Sequence, residues 1–164
     1  MTLVKACYVS PIGELSLVAD ETGLVGAWFL GQAHFERGIK EPVEMGDSVI
    51  LLQAVEWLES YFAGEVLEVA VPLSPQGTAF QQRVWSELAT IPYGQTCTYK
   101  ALADRLQCRS SQAVGGAVGK NPLSIFIPCH RILGSDGSLT GYAGGLERKS
   151  WLLAHEESLS KSTD

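Results

Sequence analysis

Apolar positions alternate or cluster in short runs near the start of the chain, then recur at helical spacing over most of its second half. Lys5 to Val9, Glu14 to Ala19 and Leu24 to Phe29 predict three β-strands. Between them stand Ser10-Pro11-Ile12-Gly13 and Asp20-Glu21-Thr22-Gly23, rich in residues that favour tight turns. From Gly31 to Gly46 the pattern lapses, which predicts a loop. Ser48 to Phe62 then sets Leu51, Leu52, Val55, Leu58 and Phe62 at helical spacing, with Gly64 as a stop just beyond. Val66 to Val71 predicts one further short strand. Leu73-Ser74-Pro75-Gln76-Gly77 is the clearest linker, so the expected division is an α/β domain over 1–75 and a second domain over 76–164.

The second domain is expected to be mainly α-helical. Thr78 and Gln81 form a capping box that opens a helix with Phe80, Val84, Trp85 and Leu88 on one face. Ile91-Pro92-Tyr93-Gly94 ends it. Thr98 caps a short helix from Tyr99 to Leu106, and Ser110 or Ser111 opens another that runs to about Gly119. Two short helices joined by a tight turn fit a helix-turn-helix, a spacing shared by helical hairpins that bind nothing. Gly115-Gly116 costs that second helix ~1 kcal/mol per glycine relative to alanine. Such a cost points to a close approach to the backbone, either by a neighbouring helix or by a DNA groove. Asn121-Pro122 stops the helix, Leu123 to Ile127 is strand-like, and Ser135-Asp136-Gly137-Ser138 is a turn. Gly141 to Gly145 predicts a flexible loop, Leu146 to Glu157 a final helix, and Ser158 to Asp164 a frayed tail.

With 164 residues, 46% hydrophobic and 18% charged, the chain has the composition of a soluble globular protein of one or two domains. No apolar run approaches the ~20 residues that span a bilayer, and the N-terminus lacks the pattern of a signal peptide. A cytoplasmic location (nuclear in a eukaryote), with no membrane partner, is therefore expected. Cys7, Cys97, Cys108 and Cys129 form no Cys-x-x-Cys pair, and His34, His130 and His155 do not complete a zinc pattern with them. The expectation is a reduced protein without metal or cofactor. Net charge is −6, unevenly spread: residues 1–75 carry 3 basic and 11 acidic side chains, and 80–150 carry 8 basic and 4 acidic. The second half is thus basic enough for a nucleic-acid partner, although one acidic face would produce the same asymmetry.

Candidate chemistry concentrates in Ile127-Pro128-Cys129-His130-Arg131, where a thiol, an imidazole and a guanidinium follow a proline. A cysteine beside a base is the minimum for nucleophilic chemistry, since the thiolate is the attacking species. In an extended segment Cys129 and His130 would point to opposite faces. Either the backbone turns there or a water bridges the two groups.

Together with Val114-Gly115-Gly116-Ala117, Asn121-Pro122, Thr140-Gly141-Tyr142-Ala143-Gly144-Gly145 and Trp151-Leu152-Leu153-Ala154-His155-Glu156, this pentapeptide resembles the O6-alkylguanine-DNA alkyltransferase family. The resemblance covers 76–157 almost without gaps and, more loosely, Ser10-Pro11-Ile12-Gly13. It implies a ribonuclease-H-like sheet with a helix in the first domain, and a winged-helix-like helix-turn-helix in the second. It further implies direct-reversal repair of double-stranded DNA containing alkylated guanine. One alkyl group moves from O6-alkylguanine (less readily from O4-alkylthymine) to Cys129 after the base is flipped, and the protein, a monomer, is consumed.

By the same resemblance His130 acts as base through a water, Glu156 orients His130, and Asn121 shapes the turn. Tyr99 stands near guanine N3, and Lys149 assists the thiolate or the neighbouring loop. Cys129, Ile132, Tyr142, Ala143 and Gly144 would line the lesion pocket, and Tyr99, Gln112, Ala113, Gly115 and Lys120 would meet DNA. Taken alone, Glu156 is a helix-end carboxylate, Asn121 a helix cap, Tyr99 a core tyrosine and Lys149 a solvated lysine. One position departs from the family: Gln112 stands where an arginine usually fills the gap left by the flipped base. Arg109, about one helical turn upstream, is the nearest compensating cation. Two other classes of function compete, a lesion-binding protein without repair activity and a thiol hydrolase using Cys129, His130 and Glu156.

Overall fold

Three strands near the N-terminus fold back on one another in a computed structural model that describes residues 3–39 and 42–162. Strands β1 (Leu3–Ser10), β2 (Gly13–Ala19) and β3 (Leu24–Phe29) run antiparallel, as the turn residues between them require. A fourth strand, β4 (Val43–Met45), lies parallel to β1 within the stretch expected to be loop, giving the order β3-β2-β1-β4. Its three residues are too few to show a period, so pairing rather than pattern creates it. Helix α1 (Val49–Phe62) starts at Ser48, whose side chain accepts from the Leu51 amide. Its inward face is Leu51, Ala54, Trp57, Leu58 and Tyr61, while Leu52 is 56% exposed. Leu51 and Leu52 cannot both point inward, and the stacked rings of Trp57 and Tyr61 decide the rotation.

The outer edge of β3 is not left open. Leu24 exchanges hydrogen bonds with Pro72 and Ser74 (2.8 Å each), and Ala27 with Pro122 and Ser124 (2.8 and 3.0 Å). The backbone just before the cysteine segment is thus docked on the first sheet. The same pairing explains why Val66 to Val71 is not a strand: the edge it would need is taken by the residues that follow it. Leu123 to Ile127 is not a strand either. Its chain turns at Ile125 (φ +74°), and the Asn121 amide bridges the turn by accepting from Leu123 N–H and donating to the Ile127 carbonyl. A β-branched residue at positive φ is strained, and here side-chain hydrogen bonds hold it.

Helix α2 (Ala79–Leu88) carries the expected Thr78–Gln81 capping box and buries Val84, Trp85 and Leu88. Strand β5 (Cys97–Thr98) leads into α3 (Tyr99–Arg105), capped by Thr98, and α4 (Ser111–Gly119) is capped by Ser110 rather than Ser111. Between α3 and α4 the chain turns at Gln107 (φ +54°), with Cys108 N–H bonding the Ala103 carbonyl and Gln107 N–H that of Asp104. This is the left-handed helix stop usually made by glycine. Arg83 of α2 donates to the Leu106 carbonyl at 2.9 Å and secures the same turn. Strand β6 (Ile132–Leu133) pairs in parallel with β5. Helix α5 (Leu146–Ser162) runs five residues past the predicted end, so Ser158 to Ser162 continues the helix rather than fraying; Thr163 and Asp164 lie outside the described residues.

One hydrophobic core runs through both halves. It joins Leu15, Leu17 and Phe29 of the sheet and Leu58 and Tyr61 of α1 to Val84, Trp85, Val114, Ile127, Cys129 and Leu152. A smaller cluster of Leu3, Val18, Val25 and Trp28 covers the opposite face of the sheet. Trp28 lies flat over Gly26, where a Cβ would sit 1.9 Å from the indole, so no other residue fits there without moving the ring.

Candidate active site

Pro128 sits at φ −79° and ψ 64°, an inverse γ-turn in which Cys129 N–H bonds the Ile127 carbonyl at 2.7 Å. The next three residues, Cys129–Arg131, form one turn of 3₁₀ helix. The backbone therefore turns at the thiol, and strand alternation does not separate the side chains. Cys129, His130 and Arg131 are all buried, at 4%, 0% and 8% exposure.

Both basic side chains of this turn converge on Glu156 of α5, itself 1% exposed. His130 Nε2 lies 2.6 Å from Oε2, Arg131 Nε donates to Oε1 at 2.7 Å, and Arg131 Nη2 donates to Oε2 at 3.1 Å. Two further donors were not foreseen. The Tyr61 hydroxyl donates to Oε2 at 2.6 Å, and the Gly94 amide donates to Oε1 at 3.3 Å. Burial alone would raise the Glu156 pKa, but His130, Arg131 and their hydrogen bonds hold it well below the usual carboxylate range. For His130 burial dominates and, with the Arg131 and Lys149 charges, lowers its pKa despite Glu156. The imidazole is then neutral, its Nε2–H directed to the carboxylate and its Nδ1 left as acceptor. Nδ1 is buried and has no partner among the described protein atoms.

Burial pushes the Cys129 thiol up to about 11, against smaller downward effects of a hydrogen bond from Asn121 and the Lys149 charge. At neutral pH about one thiol in 10⁴ would be ionised, so the site requires a base at the moment of reaction. Lys149 is fully buried, which excludes the solvated reading, and its ammonium donates to the carbonyls of Thr140 (2.8 Å) and Gly141 (3.2 Å). It thereby ties down the 140–145 loop. Ala33 N–H bonding Ala143 (3.1 Å) and Arg148 Nη1 bonding Gly144 (2.9 Å) anchor that loop further, so it is held rather than free.

Cys129 opens onto a cavity of about 250 Å³ lined by Tyr99, Gly115, Val118, Gly119, Gly141, Tyr142 and Ala143, together with Ala33 and His34. The structure thus brings Cys129, Tyr142 and Ala143 of the expected lesion pocket to one cavity, with Tyr99 and Gly115, expected to meet DNA, beside them. Gly144 and Ile132 do not line it. Gly144 packs under Tyr142 against Phe29, and Ile132 is fully buried with its amide bonded to the Cys129 carbonyl. Gln112 and Ala113 are exposed on the first turn of α4, and Lys120 caps its end. Ala33 and His34 went unforeseen because they reach the cavity from the first half, in a stretch whose sequence carries no period.

Fold and site define a class: a two-part protein whose enclosed thiol faces an open cavity and is backed by a carboxylate-bound imidazole. Residues 79–158 match the 6-O-methylguanine DNA methyltransferase DNA binding domain, and residues 3–75 match the ribonuclease-like domain of the same family. The chain is 43% identical over 159 residues to a methylated-DNA–protein-cysteine methyltransferase of Methanosarcina acetivorans, covering 93% of this chain and 97% of that one. It is 44% identical over 153 residues to that of Mycobacterium tuberculosis, covering 91% and 89%. The crystal structure of Mycobacterium tuberculosis OGT in complex with DNA superposes with a TM-score of 0.83 at 41% identity, covering 97% and 94% of the two chains. The chain belongs to the 6-O-methylguanine DNA methyltransferase family.

Proposed function

We propose that this protein repairs DNA by direct reversal, moving the alkyl group of O6-alkylguanine in duplex DNA, and less readily that of O4-alkylthymine, onto Cys129. The observation that carries this reading is the buried thiol at the cavity, backed by the His130–Glu156 pair, in a member of this family. His130 Nδ1 takes the thiol proton through a bridging water. The S–C bond forms as the O6–C bond breaks, and the proton finally resides on the purine, so guanine leaves neutral. Tyr99, at the cavity wall, donates toward guanine N3 as charge develops there. Nothing in the site attacks the resulting thioether, so each molecule acts once. Asn121 holds the turn before the thiol, and Lys149 holds the loop beyond it while lending positive charge to the thiolate.

The sheet half is ribonuclease-H-like in this reading, and α3 with α4 forms a helix-turn-helix whose second helix enters a DNA groove. Support comes from the glycines of α4. Beyond the helix's own backbone, a Cβ added at Gly115 would meet only the Tyr99 ring within 4 Å, and one added at Gly116 or Gly119 would meet nothing. No neighbouring helix crowds these positions, which leaves this face of α4 open to a close approach by a DNA groove. An extruded base would fill the cavity beside Cys129. The protein acts as a monomer in the cytoplasm, where its four unpaired cysteines fit a reducing milieu.

Incubation with O6-methylguanine duplex should add one methyl mass to the peptide containing Cys129 and stop at one equivalent. Turnover beyond the protein concentration would instead indicate a thiol hydrolase, and binding without transfer a lesion sensor. Gln112, exposed at the start of α4, brings no charge to the DNA face. Gln112→Arg is expected to tighten duplex binding about tenfold or speed repair comparably, by adding a charge-assisted contact. Unchanged or weaker binding in a fluorescence titration, with no faster repair, would remove residue 112 from the base-flipping role.

A further inference from the structure

We infer that Tyr61, on α1 of the sheet half, is a positioning residue for the alkyl-transfer site: its hydroxyl bond to Glu156 restrains that carboxylate from drawing a proton onto His130. The inference rests on the reading of His130 as the base.

Three donors share Glu156 Oε2: the Tyr61 hydroxyl and His130 Nε2, both at 2.6 Å, and Arg131 Nη2 at 3.1 Å. A carboxylate oxygen that accepts strong bonds from a phenol and a guanidinium has less electron density to offer the imidazole. The balance matters because His130 must be neutral to accept the thiol proton. A bare carboxylate 2.6 Å away in a buried site would favour imidazolium and block the base. Tyr61 also has no freedom to leave. Its ring is 2% exposed, lies 5.3 Å from Trp57 and 5.4 Å from His155, and its backbone carbonyl accepts from His155 Nε2 at 2.8 Å. Burial and the Glu156 charge raise the phenol pKa, so it remains a donor across the working range.

The charged groups that act on His130 are Arg131 on its own turn and Glu156 and Lys149 on α5, while Tyr61 on α1, Tyr93 before β5 and Tyr142 on the 140–145 loop face Glu156 in turn. Among these, Tyr61 is the member that reaches Glu156 from the first half. The two halves thus meet at a proton-transfer site as well as in the core.

The test is the single-turnover rate of methyl transfer between pH 5 and 9 for the full-length protein and Tyr61→Phe. Loss of the donor should move the acid limb up by about half to one pH unit, giving a loss of roughly three- to tenfold along that limb and little change above pH 8. Site-specific 3-fluorotyrosine at 61, a stronger donor, should move the limb the other way. An unmoved limb in both proteins overturns the inference, whether rates fall evenly or not at all. NMR titration of the His130 ring reads the same shift without the reaction. If unmodified protein fails to alkylate Cys129 yet the ring still shifts, the alkyl-transfer reading fails and the coupling stands.

Discussion

Cys129→Ser is expected to give a folded protein that binds alkylated duplex and transfers nothing, with a rate loss of at least about 10⁴. Oxygen replaces sulfur at nearly the same volume, in a site where Asn121 supplies a hydrogen bond to either atom. The stability change should stay near 1 kcal/mol, the usual scale for a buried hydrogen bond. Reactivity is another matter. The thiol is already pushed up to about 11 by burial, and the base proposed for it is a neutral imidazole. A hydroxyl is far less acidic and its neutral form is a weak nucleophile, so the same base cannot activate it. Intact mass and a thermal melt on one sample separate the two effects. A methyl adduct on the serine variant would show that the acceptor is another residue.

Glu156→Ala should be the most damaging substitution in the molecule, lowering stability by about 3–5 kcal/mol and abolishing transfer. It strips five hydrogen-bond donors at once and leaves the Arg131 guanidinium buried without its carboxylate. Glu156→Gln keeps the shape but not the charge, and should fall between wild type and alanine on both measures. The pH dependence follows from the same groups. His130 and Glu156 are both shifted downward on folding, so the unfolded chain binds their protons more readily. Stability is then full near neutrality. It declines as pH falls below about 6.5, where an unfolded histidine gains its proton, and further below about 4.5, where an unfolded glutamate does. Thermal melts in glutamine-variant protein should show a flatter acid slope below pH 4.5. A wild-type melting temperature that rises on acidification would contradict the assignment.

How much of this was legible in the sequence depended on the kind of information each residue carries. The three strands and the caps Thr78 and Thr98 are local features, and their residues foretold them. Strand β4 and the edge pairing of Leu24 and Ala27 depend on partners far along the chain, so their own residues show no period. The expectation of a strand over Val66 to Val71 failed for the complementary reason, since its composition suits a sheet that has no free edge there. Within the site, Cys129, His130, Glu156 and Tyr142 lie in the short motifs that carry the family resemblance, and Tyr99 was named through that resemblance alone. Tyr61 did not, because on α1 it looks like one more aromatic on a buried face, and its role rests on a carboxylate 95 residues away. Lys149 looked solvated for the same reason: the two carbonyls that hold it belong to a loop whose path the helix pattern does not reveal.

The docking of Pro122 and Ser124 on the edge of β3 bears on how this protein tolerates damage to its own chain. A protease cutting near Gln76 would sever the backbone where the sequence is most linker-like, yet the two fragments would stay joined by that edge, the shared core and the Tyr61–Glu156 bond. Separate expression of the two pieces is a different case. The first would carry an open strand edge prone to pairing with its own kind, and the second an active-site turn with no rail to lie on.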